Sequence, residues 1–401
     1  MAGRKSRAAR SDHGAVTLSR LDALAPREDF PHLTDVTYLN SGSIGLMPLP
    51  VQEAAAAFER DIWLRGTTGF DEAAETGCLE EARDAAAALL RARRDDVAIV
   101  KSATEAFGMF AWWVRPSKGT NVVTIDVEHP STAYPWFRVA RETGAEIRLV
   151  RVWEEPDALS LQRVAELVDR NTSVIVVSNV QYATGYRFVL SELAELAHDH
   201  GALLAIDATQ AAGMVPIDVA RDDVDLLVAA GYKWLCGPFG AAIAWLRPEL
   251  RERFEPPIVG WRSTVDPFTF DSRGMALAPS ARSMEYSTMS YGAAVALGRA
   301  MGYILELGVE RVLEHDQAVA ARLMDGLDGL GATILTPRDE AHRAGIVTAR
   351  YPNRDGEEVA AQLNQNGVIV SPRFGATRFS VHFFNDAADV ERALDLLERI
   401  L

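Results

Sequence analysis

The chain has 401 residues, 48% of them hydrophobic and 24% charged, a globular composition that excludes a disordered or fibrous protein. Its formal net charge of −15 repels phosphate backbones and anionic lipid, so neither nucleic acid nor a membrane is expected as a partner. Two cysteines exclude a disulfide scaffold and point to a reducing, cytoplasmic location.

Residues 1–33 are polar and aperiodic. Their basic start, MAGRKSRAAR, is followed by no apolar run, so they read as a flexible tail that orders in part on the rest of the protein. A strand is expected at 36–40, then the turn SGSIGLMPLP. A helix follows from about Pro50, with apolar positions at Val51, Ala54, Ala55, Phe58 and Ile62. Between 95 and 246, short apolar runs alternate with amphipathic helix patterns. The runs are VAIV (97–100), NVVTI (121–125), EIRLV (146–150), SVIVV (173–177), ALLAI (202–206), DLLVA (225–229) and AAIAW (241–245). That rhythm predicts an α/β fold with a mostly parallel seven-stranded sheet flanked by helices. The Pro/Gly/Ser-rich stretch 256–283 is a long connection of the kind that is functional or interfacial. A long helix is expected over 291–315. Beyond it come strands near 346–350, 368–371 and 378–382, with helices near 357–365 and 387–400. The expected division is a tail (1–33), a large domain (34–290) whose first segment packs in part with the small one, and a small α+β domain (291–401).

Only four lysines occur: Lys5, Lys101, Lys118 and Lys233. A lysine kept against so strong an arginine bias is a candidate for amine chemistry that arginine cannot supply. Lys5 and Lys118 read as tail and turn charges. Lys101 reads as a helix-flanking charge ahead of the turn KSATEAF.

Ligands of such sheets bind at the carboxyl ends of strands, and four segments there carry polar chemistry. In KSATEAF (101–107), Ala103 and Thr104 open a helix whose first amides suit a phosphate, although a plain N-cap on Ser102 or Thr104 reads as well. In DVEHPSTAYPW (126–136), His129 follows a strand; a lone histidine there is equally a structural residue. In AIDATQAAG (205–213), Asp207 ends an apolar strand, where a carboxylate is costly unless paired, and Gln210 follows. In AAGYKWLCGPFG (229–240), Lys233 lies among Tyr232, Trp234 and Leu235, a setting that lowers an amine's pKa and favours Schiff-base chemistry. A phosphate-accepting helix start, a ring-stacking side chain, a strand-end carboxylate and a lysine are together what pyridoxal phosphate requires.

The order and spacing of these segments, above all D-A-T-Q followed by G-Y-K, resemble the class V aminotransferase superfamily of fold type I pyridoxal-phosphate enzymes. That superfamily includes desulfurase-, kynureninase- and isopenicillin N epimerase-like members. The resemblance runs from about Tyr38 to the C-terminus. It implies that Lys233 is the Schiff-base lysine, Asp207 the partner of the pyridine nitrogen, and Gln210 a contact near the phenolic oxygen. Ala103 and Thr104 match the phosphate turn, and His129 the ring-stacking histidine that moves protons. In NVQYATGY (179–186), Gln181 or Tyr182 would touch the cofactor hydroxyl, and Tyr232 would reach the phosphate. The superfamily is usually homodimeric with sites at the interface, where Trp261 and Thr288 match segments reaching a neighbour's site. Arg378 in R-F-S-V-H-F-F-N matches the arginine that fixes a substrate carboxylate. Arg373 would read a second anionic group or bind elsewhere, and Asn40 and Ser41 would line the substrate.

No metal site is expected. Only four residues separate Arg373 from Arg378, and no cysteine is among them, so a sulfur relay on a protein thiol is not expected. The expected function is a pyridoxal-phosphate enzyme acting on a small amino acid or amino-acid conjugate. Lyase-type cleavage at Cβ comes first, aminotransfer second and epimerisation third.

Overall fold

The computed structural model describes residues 21–253 and 255–401. The first strand, β1 (Thr37–Tyr38), is shorter than the expected 36–40 and pairs in parallel with a strand far along the chain, as given below. Seven strands then form the central sheet: β2 (Val97–Val100), β3 (Asn121–Ile125), β4 (Glu146–Val150), β5 (Thr172–Ser178), β6 (Leu203–Asp207), β7 (Leu226–Ala230) and β8 (Ala242–Leu246). Their order is β2-β8-β7-β6-β5-β3-β4, and β8 alone runs against its neighbours. Apart from the edge strand β4, which carries Glu146 and Arg148, each run is mostly apolar because both faces are covered. Successive side chains alternate between two cores: Ile175 and Val177 enter one, Val174 and Val176 the other.

The remaining strands are β9 (Thr333–Ile334), β10 (Ile346–Arg350), β11 (Val368–Ile369), β12 (Ser371–Arg373) and β13 (Ala376–Ser380). The antiparallel order β12-β13-β10-β9 builds a second sheet with its own core, and β11 pairs with β1. The run expected at 368–371 is thus two strands divided at Val370. The strand expected at 378–382 ends at Ser380, which leaves His382 in the turn beyond.

The long helix expected over 291–315 is two helices, Tyr291–Leu307 and Val309–Gly329, bent by 76°. Gly308 makes the break at φ +86, a backbone state that side-chain-bearing residues rarely adopt. Helix Tyr291–Leu307 packs on Leu49–Arg65 and Glu72–Leu90 beside the central sheet. No single helix among the described residues is long and apolar enough to cross a membrane. Residues 1–20 of the expected tail lie outside the described residues. The rest of it is packed: Phe30 and Leu33 are buried, and the Leu24 N–H donates to the Phe383 carbonyl at 2.8 Å.

One ion pair ties the outer helices to the sheet edge. Arg83 on helix Glu72–Leu90 donates to both Glu285 oxygens, at 2.6 and 3.1 Å, and to the Val97 carbonyl at 2.7 Å. Glu285 also accepts the Ile99 N–H at 2.8 Å, and both residues are buried. Glu285→Ala would leave a strand N–H unpaired and a buried guanidinium with only Glu80, at 3.3 Å, and the Val97 carbonyl. It should lower unfolding free energy by about 3–5 kcal/mol in chemical denaturation; a loss below about 1 kcal/mol would show that water replaces the carboxylate.

Candidate active site

Seven of the expected site residues, Ala103, His129, Tyr182, Asp207, Gln210, Tyr232 and Lys233, gather at the carboxyl ends of central-sheet strands. A single cleft is walled by Ala103, His129, Ser131, Ser178, Tyr182, Asp207, Thr209, Gln210, Ala230, Tyr232 and Lys233. Asp207 is the last residue of β6 and is 5% exposed. Its two oxygens accept from Thr132 Oγ1 at 2.6 Å and from the Thr209 N–H at 2.9 Å, which fixes the carboxylate plane. Strand register sets Ser178 beside Asp207. Ser178 in turn donates through its N–H and Oγ to buried Glu128, at 2.8 and 2.5 Å. Burial raises the Glu128 carboxyl to about 7 against the opposing effect of those bonds.

Lys233 lies in the turn after β7. Burial lowers its amine from the ordinary 10.5 to about 8, partly offset by the Asp207 charge. Among the described residues its Nζ has no hydrogen-bond or ion-pair partner; it stands 5.7 Å from the centre of the Tyr232 ring. The turn is pinned from outside. The Gly45 N–H donates to the Tyr232 carbonyl at 2.9 Å, and a Cβ on Gly45 would stand 1.9 Å from the Lys233 carbonyl oxygen.

His129 caps helix Pro130–Thr143, its Nδ1 accepting the Ser131 N–H at 3.2 Å. A neutral His129 therefore carries its proton on Nε2. Burial first, and then Lys233, lower its pKa. Helix Ala103–Val114 presents its first turn to the same cleft. Ser102 caps it, and Thr104 Oγ1 donates to Ser131 Oγ at 2.8 Å.

Arg378 on β13 is fully buried. It donates to the Tyr182 carbonyl at 3.0 Å and to Ser43 Oγ at 2.7 Å, while its Nε has no partner. No described carboxylate pairs with it, and burial pushes its pKa down to about 9. Arg373 also lacks an acid partner; its guanidinium stands 5.7 Å from the centre of the Tyr182 ring.

Several expectations change. Tyr182 walls the cleft, whereas Gln181 is fully buried outside that wall. Gln210 is in the wall, but its amide is already engaged, donating to the Gly42 carbonyl at 2.9 Å and accepting from Trp234 Nε1 at 2.6 Å. Asn40 and Ser41 do not wall the cleft. Asn40 accepts from Ser371 Oγ at 2.7 Å, the Ser41 N–H donates to the Ser380 carbonyl at 3.3 Å, and Ser43 is the neighbour that holds Arg378. Trp261 and Thr288 lie away from Lys233 in this chain, around a surface depression shared with Phe70, Phe268 and Phe270. Sequence reasoning missed Ser43, Ser131, Thr132 and Thr209. Thr209 stood inside D-A-T-Q and Ser131 and Thr132 inside DVEHPSTAYPW, segments already singled out for their chemistry.

The donor set fits pyridoxal phosphate: an unpartnered amine of lowered basicity, a fixed carboxylate and a helix start share one cleft. Fold and site together define a fold type I pyridoxal-phosphate enzyme. The chain belongs to the class-V aminotransferase family, whose model matches residues 38–392. It is 26% identical over 399 residues to a probable cysteine desulfurase of Methanothermobacter thermautotrophicus, covering 93% of this chain and 97% of the relative. Over 371 residues it is 28% identical to an uncharacterized aminotransferase of Bacillus subtilis, covering 92% and 95%. The apo structure of a cysteine desulfurase from Thermococcus onnurineus NA1 superposes with TM-score 0.83 at 26% identity, covering 93% and 96%. A cystine C-S lyase bound to its product cysteine persulfide shares the fold, with TM-score 0.85 at 22% identity, covering 92% and 99%.

The lowered Lys233 pKa has a direction that can be checked. Between about 8 and 10.5 the unfolded chain binds more protons at this lysine than the folded one, so apoprotein stability should rise with pH across that window. Capture of pyridoxal phosphate by apoprotein should likewise climb with a midpoint near 8. A midpoint above 10, that of an exposed lysine, would contradict the burial.

Proposed function

We propose that the enzyme breaks a bond at Cβ of an amino acid or amino-acid conjugate. The observation that carries the substrate class is Arg378, a buried guanidinium without an anion, poised to take a carboxylate through a two-bond fork. In this reading Lys233 would hold pyridoxal phosphate through its amine, Asp207 would keep the ring nitrogen protonated, and the first turn of helix Ala103–Val114 with Thr104 would take the phosphate. The cofactor supplies an electron sink. Arg378 orients the substrate, Lys233 Nζ accepts a proton near pH 8, and His129 Nε2–H offers one. Tyr182 and Tyr232 add aromatic rings to a cleft wall that is otherwise largely polar.

Relatives that carry the name cysteine desulfurase support cleavage at Cβ over aminotransfer, which the Bacillus relative keeps as the second reading. A protein-bound persulfide is not part of the proposal. The hairpin from Arg373 to Ala376 turns tightly through Phe374 and Gly375, both at positive φ, and holds no thiol. Burial raises the Cys236 thiol far above its ordinary range, and Cys78 lies on helix Glu72–Leu90. The two unpaired cysteines support a cytoplasmic setting.

Holoenzyme given cysteine, cystine and S-substituted cysteines should release pyruvate, ammonia and the sulfur-containing fragment as sulfide, thiol or persulfide without a keto-acid acceptor. Conversion of bound cofactor to pyridoxamine phosphate, reversed by a keto acid, would establish aminotransfer instead. Arg378→Ala should raise KM for the turned-over amino acid by about two orders of magnitude, and equal turnover of the decarboxylated amine would remove Arg378 from this role.

The proposed assembly is a homodimer. Trp63 and Phe270 are 81% and 67% exposed, and Phe270 borders the same surface depression as Trp261 and Thr288, which supports this reading. Light scattering at micromolar concentration should give twice the chain mass; a monomer with full activity would exclude a site shared between copies.

A further inference from the structure

Beneath the lysine turn lies a buried cluster that the chemistry above does not use. Helix Val309–Gly329 carries His315 and Asp316, and His382 follows β13. Asp316 and His382 have no exposure at all. His382 Nδ1 lies 2.9 Å from Asp316 Oδ2, and its Nε2 lies 3.0 Å from the carbonyl oxygen of Trp234. His315 Nδ1 lies 2.9 Å from the other Asp316 oxygen.

The acceptors dictate the protons. A carbonyl oxygen only accepts, so His382 Nε2 carries a hydrogen. A second proton lies between Nδ1 and the carboxylate, since two bare lone pairs at that distance would repel. Asp316 thereby keeps His382 in the state that donates to Trp234. His315 donates through Nδ1, and its Nε2 has no partner.

The carbonyl held in this way belongs to the residue next to Lys233. Its other donor is the weak Cys236 thiol at 3.9 Å. Gly213, at φ +94, leaves space for it, because a Cβ there would stand 2.5 Å from the oxygen. The neighbouring carbonyls of the turn, those of Tyr232 and Lys233, accept from the Gly45 and Cys236 N–H groups, both at 2.9 Å. Backbone thus fastens two of the three carbonyls, and a side chain from the second sheet fastens the third. The Trp234 ring is held as well, by Gln210 through Nε1 and by the His382 ring at 5.0 Å in a T-shaped contact. His382 also lies four residues after Arg378, so one chain segment bears both the guanidinium and the brace on the lysine turn.

We propose that His382, kept by Asp316 as an Nε2 donor, is a positioning residue that fixes the Lys233 amine through the Trp234 carbonyl. The inference rests on Lys233 being the amine that holds the cofactor. Its balance is a pure hydrogen-bond one, with no covalent step.

The test compares His382→Phe, which keeps a ring and removes the donor, with His382→Gln, whose amide N–H can still reach the carbonyl, and with Asp316→Asn. The amide introduced by Asp316→Asn can donate its N–H to a bare Nδ1, which leaves a neutral His382 with its hydrogen on Nε2. Pyridoxal phosphate is added to each apoprotein, capture is followed by stopped-flow absorbance, and the adduct is located by mass spectrometry after borohydride reduction. Folding is followed separately by thermal unfolding. His382→Phe should capture the cofactor slower by about tenfold or more while still folded, and His382→Gln and Asp316→Asn should remain close to wild type. Unchanged capture in a folded His382→Phe would overturn the positioning role. Failure of both His382 variants to fold would overturn it in favour of a role in the core alone. Wild-type protein with no adduct on Lys233 would instead overturn the cofactor reading on which it rests.

Discussion

Positive charge sealed from water without a matching anion is the condition around which this molecule is arranged. Arg378 is fully buried and meets only a carbonyl and a hydroxyl, and Arg373 beside it has no acid partner. Neither arginine walls the Lys233 cleft, but their charges act on the Lys233 amine, which is itself desolvated. Such groups lower stability unless something compensates. Part of the compensation is internal, through Asp207, the Tyr182 carbonyl and Ser43. The rest is left for anionic ligands, so occupancy of the cleft and stability of the fold are coupled by mass action.

Much of this was legible in the sequence, for a physical reason. Strands covered on both faces must be apolar throughout, and the seven runs read from the sequence lie within one residue of the observed strands. Residues that follow such strands converge by topology, which is why Ala103, His129, Tyr182, Asp207, Gln210, Tyr232 and Lys233 share one cleft. What could not be read depends on contacts between distant segments. Ser43 reaches Arg378 across 335 positions, and Thr132 reaches Asp207 across 75. The helix break at Gly308 was hidden because both helices bury apolar faces, so the periodicity runs on through the glycine. Gln181 failed as a candidate because its neighbour Tyr182, one residue on, takes the place facing the cleft.

The short hairpin between the two arginines is packed by aromatic rings. Phe374 at its tip meets Trp153 edge to face, with ring centroids 4.6 Å apart. Tyr182 continues the aromatic series to His129, whose ring centroid lies 6.1 Å from its own. The hairpin tip is thus part of a fixed aromatic surface that carries no thiol.

The register between β5 and β6 limits how such a protein can diverge. Ser178 and Asp207 face each other because the two strands pair without a bulge. Inserting or deleting one residue within either strand would send the carboxylate to the opposite side of the sheet. Natural length variation is therefore confined to the connections, and the hairpin tip at Phe374 and Gly375 is one that can change without disturbing the pleat. New specificities in this lineage should arise there by insertion, while the interior strands accept only substitutions of matching size.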